Sequence, residues 1–190
     1  PGQIAGTMLT VNGGGAIAIQ ADEVGDANYN DGQITTIQHV TPAPLTVTAD
    51  PQTRVYGAPN PTLTFSAAPF SNGDTAATTL TGALATAPPS SPVGSYPITL
   101  GTLASVNYAI TLLGSTLTVT KATLTVAADP KFKMTGTPNP LLTYSFSGFV
   151  NNDDANAVSG VADLSTAADD ASPPGDYPIL FSGTSLSAVN

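Results

Sequence analysis

Residues 45–66, LTVTADPQTRVYGAPNPTLTFS, and residues 124–145, LTVAADPKFKMTGTPNPLLTYS, are identical at 13 of 22 positions with a constant spacing of 79. The shared positions include Asp50/Asp129, Gly57/Gly136, Asn60/Asn139 and Pro61/Pro140. The likeness continues through APFSNGD (68–74) against GFVNNDD (148–154). After small gaps it returns at SPVGSYPI (91–98) against SPPGDYPI (172–179), and at LASVN (103–107) against LSAVN (186–190). A period of this size makes the chain a tandem of one supersecondary unit of about 80 residues, and it must be read as such before any motif. The first copy runs on through YAITLLGSTLTVTKA (108–122), whereas the second stops at Asn190 without a counterpart of about twelve residues. The first 41 residues match neither copy and form a third element.

The units read as strand. LTVTA (45–49), TLTFS (62–66), YPITL (96–100), YAITLL (108–113), TLTVT (116–120), LTVAA (124–128), LLTYSF (141–146) and YPILFS (177–182) alternate with period two and favour β-branched and aromatic residues. Gly and Pro, at 18 and 17 of 190 residues, punctuate these runs at the spacing of a small sandwich. Pro51, Pro59, Pro61, Pro88, Pro89, Pro92 and Pro97 cannot all sit in central strands, so most are predicted in turns or at strand edges. A turn of helix is expected after SNGD (71–74) and NNDD (151–154), capped by Asp. The fold class that follows is all-β: tandem Ig-like β-sandwich repeats, with the first element and the last copy incomplete. A sandwich short of a strand exposes an unpaired ladder and half an apolar face. Two arrangements answer that loss: a piece of a longer tandem array, which the start at Pro1 also suits, or donation of a strand by a neighbour. GTMLTV (6–11) resembles GSTLTV (114–119) and is the donor this second arrangement predicts.

Composition removes several function classes. With no Cys there is neither a disulfide scaffold nor a thiol nucleophile. Four Lys and Arg against 13 Asp and Glu, net charge −9, leave no basic surface for nucleic acid. No apolar run is long enough to insert this segment in a membrane as a helix.

The chemical candidates are few. His39 stands alone at a strand end and lacks the partners that acid–base work requires. No G-x-S-x-G elbow is present, so no catalytic residue is assigned. Acidic clusters occur at Asp22/Glu23/Asp26, Asp153/Asp154 and Asp169/Asp170. Asn151, Asp153 and Asp154 are the candidate calcium ligands, because a hard cation wants several oxygens on one loop. Short Asx residues build turns and caps equally well, and SNGD in the first copy carries a single acid, which favours turn chemistry. Arg54, Lys121, Lys131 and Lys133 are the only cations. An isopeptide crosslink is disfavoured by scarce Lys and a single Glu, and Lys121 reads as a solvated linker charge. Tyr56, Tyr96, Tyr108, Tyr144, Tyr177, Phe65, Phe70, Phe146 and Phe149 could stack sugars, but filling a small core is the simpler use.

The motifs VYGAPNPTLTF, SNGD, SPVGSYPIT, VNYAIT and GSTLTVTKATLTV together resemble the MBG domain, a repeat of large secreted bacterial surface and adhesin-like proteins. The resemblance covers residues 42–121 fully and 122–190 as a copy lacking its last strands. In that copy Thr135 replaces Tyr56 and Asn152 replaces Gly73, which implies altered turn packing. Residues 6–32 resemble the last half of a bacterial Ig-like repeat, with strands expected at 7–11, 15–21 and 33–40, so that 1–41 forms the C-terminal part of such a domain. The resemblance implies an extracellular location, no reaction and no cofactor, and a mechanical or adhesive role. Short junctions at 41–44 and 120–124 imply a stiff, end-to-end rod. The partners expected are neighbouring repeats of the same chain, or identical subunits head to tail. A glycan or protein ligand is the alternative use of the surface.

Overall fold

The structure, a computed structural model, describes residues 2–5, 8–11 and 13–190. Strands β1 (Gly2–Ala5) and β2 (Met8–Val11) pair antiparallel, with Gly2 opposite Val11. Of the strand expected over 7–11, Thr7 lies outside the described residues. Strands β3 (Gly15–Glu23) and β4 (Gly32–Val40) form a nine-pair antiparallel hairpin, close to the two strands expected there. Its loop is closed by carboxylates: Asp26 Oδ1 accepts from the N–H groups of Asn28 and Tyr29 at 2.7 and 3.0 Å, and Asp31 Oδ1 from Gly25 at 2.7 Å. Any Cβ at residue 25 would lie 2.3 Å from the Tyr29 carbonyl oxygen, so only glycine fits.

The first repeat contributes β5 (Ala43–Ala49), β6 (Gln52–Val55), β7 (Phe65–Ala68), helical turn α1 (Ala76–Thr79), β8 (Gly94–Ile98), β9 (Tyr108–Leu113) and β10 (Ser115–Thr120). They form two three-stranded sheets, β7-β5-β9 and β6-β10-β8. In the first, β5 is central. It runs antiparallel to β7 and parallel to β9, with Ala43 opposite Tyr108 and Thr48 opposite Leu113. In the second, β10 is central. Alternation along β5 and β10 sends Leu45, Val47, Leu117 and Val119 inward, each no more than 1% exposed. Ile98, Leu84, Leu103 and Tyr108 complete a cluster with Leu45, Val47 and Ala49.

The aromatic ring of Tyr108 is buried and edge-on to Phe70, with centroids 5.6 Å apart. Its hydroxyl accepts from the Ser71 N–H at 2.9 Å and donates to Asp74 Oδ2 at 2.8 Å. This pins the 71–74 turn to the core. Asp74 is therefore not the cap of α1. Thr75 takes that place, and its N–H donates to the Thr78 hydroxyl at 3.0 Å. Replacing Tyr108 by Phe keeps the ring and removes both bonds, leaving a half-buried N–H without its acceptor. We expect a loss of about 2 kcal/mol in urea unfolding.

The second repeat contributes β11 (Thr125–Ala128), β12 (Tyr144–Ser147), β13 (Val158–Ser159), β14 (Ala162–Thr166), β15 (Ile179–Thr184) and β16 (Ser187–Ala188). Only two-stranded sheets occur among its described residues: β11-β12, β13-β16 and β14-β15. The all-β expectation is met. The extents of some strands differ: 62–66 becomes Phe65–Ala68, and 141–146 becomes Tyr144–Ser147. Pairing with β5 and β11 sets these limits, not the apolar run itself.

Contacts divide the chain into two compact units. One holds residues 1–52, 62–87 and 96–117; the other holds 53–61, 88–95 and 118–190.

Candidate functional site

The structure places Asn151, Asp153 and Asp154 on one turn. Asn151 and Asn152 adopt left-handed φ values of 55° and 63°, and the Asp153 N–H donates to the Val150 carbonyl at 3.0 Å. The first repeat builds the same turn from Asn72 and Gly73, φ 57° and 76°, closed by Asp74 N–H to the Ser71 carbonyl at 2.9 Å. Asn152 thus reproduces the backbone of Gly73 rather than altering the turn, because Asn tolerates this region better than other side chains. Asp154 caps the following 3₁₀ turn (Ala155–Ala157): one carboxylate oxygen accepts from the Asn156 N–H at 2.8 Å and the other from its side-chain amide at 3.1 Å. Its counterpart in the first repeat is the capping Thr75. Among the described residues, no three Asp, Glu or His converge as metal ligands would.

The other acids are likewise held by protein donors. Asp22 accepts from the side-chain amides of Gln33 at 2.8 Å and Gln20 at 2.9 Å. These bonds, Gln33 first, hold its carboxyl below the usual carboxylate range. Asp129 is lowered by the hydroxyls of Thr143 and then Ser145, with a small aid from Lys131. Asp169 is lowered chiefly by the Ser172 hydroxyl, 2.9 Å away, with help from backbone N–H groups and Lys133. Carboxyls lowered by folding stabilise above their unfolded pKa, and that stability drains as pH falls through the folded value. The urea midpoint should therefore hold steady down to about pH 4 and fall below it. Asp129→Asn should flatten that acid slope.

Two cations have a structural task that the sequence did not reveal. Arg54 is 5% exposed. Nη1 donates to the carbonyls of Val55 and Ala58 at 3.3 and 3.4 Å, and Nη2 to those of Pro88 and Ser91, both at 3.3 Å. Nε finds no acceptor. At the matching place in the second repeat, Lys133 Nζ donates to the Asp169 carbonyl. The two receiving loops are alike as well: Ser91 N–H bonds Pro88 O, and Ser172 N–H bonds Asp169 O. Lys121 is exposed and donates to the Ala188 carbonyl at 2.9 Å. His39 is exposed on β4 opposite Ala16.

Aromatic residues divide between core and groove. Tyr56 and Tyr108 are buried, and Tyr144, Phe146 and Phe149 are half-buried in successive edge-on contacts at 5.4 and 6.0 Å. Phe132, which the sequence did not single out, is 93% exposed. It lies on a groove of about 510 Å³ in the second repeat, with Lys131 and Lys133 beside it and Gly175, Tyr177 and Ile179 among the other lining residues.

A family model for the MBG domain (YGX type) matches residues 45–118 and again 124–190. Comparison with curated proteins and with solved structures found no match. The two matches follow one another and span more than two-thirds of the chain, and paired positions in them build the same turn, cap the next one at the same place and set a cation on the same loop carbonyl. The chain belongs to the MBG domain family, of which it carries two tandem copies.

Proposed function

We propose that this chain is a non-catalytic structural segment of an extracellular adhesin-like stalk or filament on a bacterial surface, working without a cofactor. The observation that carries this reading is repetition with the same use of residues. Asp50 and Asp129 each accept from the Thr hydroxyl fourteen residues on, and Arg54 and Lys133 each grip a loop carbonyl. The side chains that recur between copies hold backbone, as a module selected for serial strength requires. The parallel pairing of β5 with β9 adds a mechanical argument. A pull along β5 loads its six paired positions together instead of unzipping them one by one.

Antibody against the 190-residue chain should label intact, unpermeabilised cells, and external protease should erase the signal. Labelling only after permeabilisation would refute the assignment. Stretching the chain between its ends should show the first repeat giving way at higher force than the second. Its rupture should release on the order of 25 nm, since the 74 matched residues reach ~3.6 Å each when extended.

A further inference from the structure

The turn Val55–Ala58 closes β6 of the first repeat, yet it folds into the compact unit that holds residues 118–190. Tyr56 is 7% exposed but stands outside the cluster around Leu45, Val47 and Tyr108. A cavity of only about 30 Å³ remains beside it. Every other residue lining that space, Leu124, Phe149 and Val150 among them, lies beyond Lys121 in the chain. Gly57, at φ 82°, comes so close to the second repeat that a Cβ there would lie 2.5 Å from both Cβ and Cγ2 of Val150. Its counterpart Gly136 has the same φ, and a Cβ there would meet nothing within 4 Å. The left-handed turn therefore belongs to the module, whereas the close approach to Val150 is a separate demand on Gly57. The turn is also held from its own side. Ala58 N–H donates to the Val55 carbonyl at 3.0 Å, and Arg54 Nη1 donates to the carbonyls of both residues, gripping the two ends of the Tyr56–Gly57 pair.

We propose that Tyr56 and Gly57 form an inter-repeat joint whose partner is the following copy of the module, and that through it the first copy stabilises the second. Tyr56 loses its exposure against residues 122–124 and 148–150, and Gly57 lets the backbone seat on Val150 with no side chain between them. The stability of a tandem array is the sum of what each repeat supplies alone and what it gains from its neighbour. The joint provides the second of these for residues 124–190. Arg54 serves it as a positioning residue, because its guanidinium fixes the turn that carries both contacts. The joint deepens the stalk reading but rests only on the tandem order of the two copies. Its failure would leave surface exposure, tested by antibody labelling, untouched.

The test uses the full 190-residue chain and hydrogen exchange resolved by segment. Tyr56→Thr, which puts at this position the residue type of Thr135, should speed exchange at 125–128 and 144–147 by roughly tenfold, although the substituted residue precedes that repeat. Exchange at 45–49 and 108–113 should change far less, because Tyr56 takes no part in their cluster. Gly57→Ala should act in the same direction. A Cβ at 57 also strains a left-handed residue, so the substitution is repeated in a Val150→Gly background, which removes the three nearest atoms that Cβ would meet. There Gly57→Ala should leave exchange in the second repeat close to that of Val150→Gly alone. Acceleration confined to the first repeat, or spread equally over both, would overturn the proposal. So would a Gly57→Ala effect of the same size with and without the Val150 side chain.

Discussion

Leu117→Ala should lower the unfolding free energy by about 2–5 kcal/mol, because it empties a fully enclosed site at the middle of a central strand. That is a large part of the 5–15 kcal/mol typical of a whole domain. For a module of this size, the melting temperature should drop by roughly 10 °C or more. The control sits four residues away. Leu113, at the end of β9, is 55% exposed, and its truncation should cost less than about 1 kcal/mol. Urea titrations of both variants decide the matter. Equal effects would mean that the buried alternation along β10 does not hold the sheets together.

Arg54→Ala is the second substitution expected to have a large effect. The guanidinium reaches four carbonyl oxygens in two segments thirty or more residues apart, all at the long end of hydrogen-bond distance. Each bond is individually weak, yet removing the side chain strands several partly buried acceptors at once and leaves a void. A loss of about 2–4 kcal/mol follows from the cost of orphaned acceptors. Arg54→Met retains much of the apolar stem and removes every donor, so it should recover only the packing share. Lys133→Ala, with one carbonyl contact, should cost under about 1 kcal/mol. If the two alanine variants lost equal stability, the clamp around Arg54 would not be the reason.

Much of the architecture is legible in the chain. The tandem repeat, the strands around Leu45, Tyr108, Leu117 and Val126, and the turns at Asn72 and Asn151 follow from local pattern. Hydrophobic alternation and left-handed Asn or Gly are set by neighbours in sequence. Strand β6 is different. Gln-Thr-Arg-Val has no apolar alternation and becomes a strand because β10 supplies a ladder beside it. The short β13 and β16 likewise exist only through their mutual pairing.

By itself, then, the sequence determined the module, its number of copies and its all-β class, since these depend on residue type and spacing alone. Tertiary structure decided what particular side chains do. Arg54 becomes a clamp only when folding brings Pro88 and Ser91 beside it. Phe132, Tyr177 and Ile179 line one groove only because folding brings residues 131–133 and 175–179 together. Both outcomes rest on contacts between residues distant in the chain, and local propensity carries no information about those.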